Sequence, residues 1–195
     1  MPDRLSVGDD EARNSETESF RFCTIGHSDR SLSEFVALLR HSAIEMVVDV
    51  RRPPGSNRFP QFNQDDLAAA LAEEEIGYSW AKGLTGRRPK SKTVPAEVNA
   101  WWKNQSFHNY ADHALSDEFR EALVELREQG RTRRLAVMCS EAVWWRCHRR
   151  IIADHLLAAG EKVSHIMSGD QVKPAELSGG AQVQPDNRIF YPAGD

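Results

Sequence analysis

The 195-residue chain predicts an α/β fold, a three-layer α/β/α domain around a mainly parallel sheet of about five strands. Three observations predict it. Short apolar runs such as Met46-Val47-Val48 with Val50 alternate with amphipathic segments. Capping residues open those segments, and a glycine closes the last one. Polar residues recur just after the apolar runs, where open α/β sheets collect their ligands.

The elements follow in order. Residues 20–25 read as a buried strand that ends at Gly26-His27-Ser28. Ser31 opens a helix, with Glu34 completing a capping box and Leu32, Phe35, Leu38 and Leu39 on one face. Residues 45–50 form the second strand. Residues 51–58 hold two prolines and a glycine and read as a loop. Asn63 caps a helix that buries Leu67, Ala70 and Leu71. Residues 76–80 are the third strand, 83–95 a basic loop, and 96–113 an aromatic-rich, partly helical stretch. Ser116 caps a helix bearing Phe119, Ala122, Leu123 and Leu126. Residues 135–138 are the fourth strand. A helix over 144–159 ends at Gly160, and residues 163–167 are the fifth strand. Residues 168–188 read as a loose loop, and 189–191 as a short edge strand.

Composition narrows the class. Hydrophobic residues make up 40% and charged residues 28%, as in ordinary globular domains. No run of 18 apolar residues and no apolar leader is present, so neither a membrane span nor a secretory signal is expected. Three cysteines argue against a disulfide scaffold and for the reducing cytoplasm. The net charge of −4 comes from residues 1–19, which hold six acidic and two basic residues and read as a disordered acidic tail. Residues 20–195 form the single α/β domain. Its charge is uneven: residues 81–110 carry Lys82, Arg87, Arg88, Lys90, Lys92 and Lys103 against Glu97 alone. That stretch suits an anionic partner.

Six motifs carry a family resemblance. They are Thr24-Ile25-Gly26-His27-Ser28, Val47-Val48-Asp49-Val50-Arg51, Pro60-Gln61-Phe62-Asn63, Leu84-Thr85-Gly86-Arg87-Arg88, Phe107-His108-Asn109-Tyr110-Ala111, and Met138-Cys139-Ser140-Glu141 with Cys147-His148-Arg149. In that order, over residues 22–167, the chain resembles the bacterial and archaeal domain-of-unknown-function family numbered 488. Ser140 and Thr85 stand where the family pattern usually has alanine and glycine. The resemblance implies an intracellular bacterial α/β protein and no particular reaction.

Chemistry must therefore come from the residues. Glu141 and Asp49, at neighbouring strand ends, are expected as acid–base or cation-stabilising carboxylates, with His27 assisting and Ser28 orienting substrate. Arg51, Arg87, Arg88, His148 and Arg149 are expected to bind phosphate. Trp102, Phe107, Tyr110 and Trp144 are expected to stack a base. The leading expectation is an enzyme acting on a nucleotide or a base in nucleic acid, cleaving an N-glycosidic or phosphoester bond in repair or nucleotide processing. A second expectation centres on Cys139, which follows a strand, precedes a helix and has cations nearby. A third is a non-catalytic nucleic-acid-binding module. No cofactor is expected. A metal at Cys139, Cys147 and His148 is disfavoured because neighbouring helical residues point to different faces.

Overall fold

The structure, a computed structural model, describes residues 20–169 and 171–194. The expected acidic tail lies outside the described residues. Five parallel strands, β1 (Phe22–Gly26), β2 (Met46–Asp49), β3 (Gly77–Trp80), β4 (Leu135–Cys139) and β5 (Val163–Ile166), form one sheet. An antiparallel strand, β6 (Val172–Pro174), adds to β5, so the order is β3-β2-β4-β1-β5-β6. The helices are α1 (Leu32–His41), α2 (Gln64–Glu73), α3 (Gln105–His113), α4 (Asp117–Gly130) and α5 (Arg149–Ala158).

Period-2 alternation sorts the strand side chains into two layers. Phe22, Met46, Val48, Leu135, Val137 and Cys139 pack with Tyr110, Phe119, Leu126, Ile151 and Ile152 of α3, α4 and α5. Cys23, Ile25, Val47, Ala136 and Met138 pack with Phe35, Leu39, Leu67 and Leu71 of α1 and α2. Each large side chain sealed this way stabilises the fold by about 1.5–3 kcal/mol. Ser31 makes the expected capping box with Glu34, and Ser116 accepts from the Phe119 amide. Asn63 precedes α2 but caps nothing with its side chain; its Oδ1 accepts from the Ser56 amide instead.

The C-terminal third departs from expectation. Residues 144–146 are a 3-10 turn, and α5 begins only at Arg149, because Cys147 is extended (φ −125°, ψ 145°). Part of the expected loose loop is ordered as β6 and as β7 (Gln182–Val183). β7 pairs with β8 (Ile189–Phe190) in a separate ribbon, so this last segment does not edge the main sheet. No described helix is long and apolar enough to cross a membrane.

Candidate active site

The helices that follow β1 and β4, adjacent strands, lie on opposite faces of the sheet, and a crevice opens where such connections diverge. Three main-chain hydrogen bonds clamp the loops at its edge. His27 and Ser28 donate to the carbonyls of Cys139 and Ser140, both at 2.9 Å, and Val50 to that of Met138 at 3.0 Å. Gly26 permits this approach, since a Cβ there would overlap the Glu141 carbonyl.

Alternation along the strands splits the expected site residues into two groups. Asp49, Arg51 and His27 continue the rows that face α1 and α2. Asp49 is fully buried and accepts from Arg51 Nη2 at 2.6 Å, Arg51 Nε at 3.0 Å and the Tyr78 hydroxyl at 2.7 Å. Arg51 Nη1 donates to His27 Nε2 at 3.2 Å, which leaves His27 Nδ1–H to donate to the Ser28 carbonyl at 2.9 Å. His27 is therefore neutral, stacked on Phe62, and burial pushes its pKa down. This corrects the expectation for Asp49: its oxygens are consumed by Arg51 and Tyr78, so it builds the site and cannot serve as its acid or base.

Cys139 lies on the other face, beside the start of α5. Its sulfur, that of Cys147 and a His148 ring nitrogen all lie within 4.8 Å of one another. Because Cys147 and His148 precede the helix, the opposite-faces objection to their convergence fails. Hydrogen bonding from the Cys147 thiol holds Cys139 well below the ordinary thiol range; His148 and the Arg149 guanidinium act in the same direction, against burial. Burial and the neighbouring Cys139 push Cys147 well up. Cys139 is thus the more acidic sulfur of the pair. These three residues are also the described group that could hold a soft metal ion.

A cleft of about 390 Å³ reaches Cys139 and is lined by Arg51, Arg52, Asn57, Arg87 and His148. Arg52 and Arg87 are exposed and form no ion pair among the described residues. Arg87 takes the left-handed backbone conformation (φ 56°) directly after Gly86. Gly86 itself is required by close packing: a Cβ there would stand 2.8 Å from His148 Nδ1. A second cleft, also about 390 Å³, adjoins it through Ser56 and Ser140 and holds His27, Ser28, Arg58 and Glu141. Glu141 is exposed there, and among the described residues its carboxylate accepts from the Val143 amide alone, at 3.4 Å.

One family model matches residues 31–156, that of the domain of unknown function DUF488. The chain belongs to the DUF488 family. No curated protein and no solved structure matches it.

In this DUF488 chain several expected ligand-binding residues are structural. Arg149 is 1% exposed and donates to the carbonyls of Ile25, Glu141 and Ala142, so it holds the loop and binds no phosphate. Arg88 is committed to Thr85, Lys82 and Glu118. The aromatics are not free to stack a base. Trp102 packs on Phe107 at 5.0 Å, Tyr110 is buried with its hydroxyl on the Leu84 carbonyl at 2.6 Å, and Trp144 stacks on His165 at 4.2 Å. The residues that sequence reasoning underweighted are Cys147, Gly86 and Arg52. Cys139 continues the row of Leu135 and Val137 that packs on Ile151 and Ile152 of α5, the helix that Cys147 leads into.

Proposed function

We propose that this DUF488 chain is an enzyme that uses Cys139 for covalent thiolate catalysis on a phosphate-bearing substrate of nucleotide size. One observation carries the reading: Cys139, with the Cys147 sulfur and a His148 ring nitrogen within 4.8 Å, lines a cleft that Arg52 and Arg87 also line, neither of them in an ion pair among the described residues. Thiolate nucleophiles are made in this way, by hydrogen bonds and nearby positive charge. The guanidinium groups match phosphate geometry. In the step, the Cys139 sulfur bonds to phosphorus as the phosphorus–oxygen bond breaks, and the leaving oxygen takes a proton from His148. Water then cleaves the sulfur–phosphorus bond and returns the proton. Glu141 does not oppose the anion in this reading, since it stands in the adjoining cleft.

The test uses AMP as probe. Iodoacetamide is expected to alkylate Cys139 at pH 6.5 at least tenfold faster than Cys23, and AMP to slow that reaction more than adenosine does. Cys139→Ser is expected to abolish phosphate release from AMP, whereas Cys23→Ser retains it. Slow alkylation without AMP protection would remove the basis for the proposal.

The adjoining cleft favours a second reading, cleavage of an N-glycosidic bond with Glu141 as the acid–base carboxylate. Its discriminating variant is Glu141→Gln, which removes base release from a nucleotide while leaving Cys139 alkylation unchanged.

A further inference from the structure

We propose that Cys139 and Cys147 form a dithiol–disulfide couple, with Cys139 the attacking sulfur and Cys147 the resolving one. The inference rests on Cys139 as the reactive thiolate and adds an activity to the same site: two-electron reduction of a hydroperoxide.

Geometry gives the pair and its asymmetry. The two sulfurs belong to one cluster with no atom pair beyond 4.8 Å, and both lie on the α5 side of the sheet. The cleft reaches Cys139 and His148 but not Cys147, which is 4% exposed behind them. An incoming oxidant therefore meets Cys139 first. Cys147 lies in the extended residue between the 3-10 turn and α5, where rotation of one side chain changes the sulfur separation without breaking a helix. Upstream, Arg149 grips the loop by the Glu141 and Ala142 carbonyls, so the strand end that carries Cys139 stays fixed. The third thiol, Cys23, is fully buried on the opposite face against Ser164 and serves as an internal control.

The chemistry balances. The Cys139 thiolate attacks one peroxide oxygen; the sulfur–oxygen bond forms, the oxygen–oxygen bond breaks, and the departing oxygen leaves protonated as water or an alcohol. Cys147 then loses its proton to the sulfenate oxygen, which takes a second proton from solvent and leaves as water while the Cys147 sulfur bonds to Cys139. Two thiols are oxidised by two electrons and one peroxide is reduced. An external dithiol restores both thiols by exchange.

Hydrogen peroxide and the full chain provide the test. Trypsin separates the two cysteines, since Cys139 falls in residues 135–146 and Cys147 in residues 147–149. Stoichiometric peroxide is expected to join these peptides in a form that a dithiol releases, with Cys23 still alkylatable. In Cys147→Ser the link is lost, and a 1,3-diketone traps the sulfenate on Cys139. Two results overturn the couple by showing another fate for these sulfurs. One is sulfinate on Cys139 with Cys147 still free in the unmodified chain. The other is a stoichiometric zinc ion in the purified protein that shields both sulfurs from alkylation until a chelator is added. Rapid iodoacetamide alkylation of Cys139 with no disulfide removes this inference alone; a Cys139 inert to both reagents removes the thiolate reading as well.

Discussion

Arg149 donates a 2.7 Å hydrogen bond to the main-chain carbonyl of Glu141, eight residues before it in the chain. A second bond from the same nitrogen reaches Ile25 in β1 at 3.0 Å, so one buried guanidinium joins the loop after β4 to the neighbouring strand. Arg149→Lys keeps the charge and loses the planar fork. The expected cost is about 2–3 kcal/mol of stability, from carbonyls left without donors, measured by urea unfolding. Arg149 also lowers the Cys139 pKa, so a loosened cation raises it and slows Cys139 alkylation at neutral pH. Wild-type stability in the lysine variant would refute this account of the loop.

Gly86 and His148 test the site more locally. Gly86→Ala places a methyl group 2.8 Å from His148 Nδ1, so the ring must yield. The ring also packs against Tyr110, whose ring centre is 4.7 Å away. Overpacking of this kind costs about 1–3 kcal/mol. Displacing the ring removes one of the groups that lower the Cys139 pKa, so alkylation at pH 6.5 is expected to slow several-fold. Unchanged alkylation kinetics would show that His148 does not tune the thiol.

Asp49→Asn tests whether the buried carboxylate is structural. Removing one partner from a buried ion pair typically costs about 3–5 kcal/mol, because the other charge is left uncompensated. Arg51 is 4% exposed, so Asp49→Asn is expected to destabilise by that amount in urea. The double variant Asp49→Asn with Arg51→Met removes the stranded charge and is expected to recover most of the loss. A folded Asp49→Asn protein that keeps full stability would reopen a chemical role for the carboxylate.

The fold was legible because its rules are local. Apolar runs marked β1, β2, β4 and β5, and Ser31 and Ser116 cap as hydroxyls do at helix starts. The convergence at strand ends was legible too, since parallel strands deliver their following loops to one edge. Partner choice was not legible. Whether Asp49 faces water or Arg51, and whether Trp144 meets a base or His165, depends on contacts between distant segments. Aromatics interleaved with cations look alike in a core and in a nucleotide site. Strand parity governs the split of the site: odd-numbered residues of β2 and of β4 face opposite layers, which separates Asp49 from Cys139.

Four histidines set the acid limit of the fold. Burial pushes His27 and His113 down, takes His155 from its ordinary value of 6.5 to about 4, and takes His165 to about 3. In the unfolded chain each protonates near 6.5, so between pH 6.5 and about 4 the unfolded state binds more protons than the native state. Stability therefore rises with pH across that window and falls as the pH drops, by up to about 1.4 kcal/mol per pH unit for each fully depressed group. Asp154 acts in the opposite sense at the acidic end, because burial raises its carboxyl, and the lowered Cys139 thiol acts in the same sense as the histidines, so a histidine is read from the difference between two variants' slopes over pH 7 to 5. His155 is the group to vary: its ring packs 4.9 Å from Phe119, and its Nε2 is buried with no hydrogen-bond partner among the described residues. His155→Leu is expected to fold, to flatten the slope of unfolding free energy against pH, and to exceed the unmodified chain in stability at pH 5. An equal slope in both proteins would mean that His155 takes up its proton in the native state near its ordinary value, and that its site is not closed to charge.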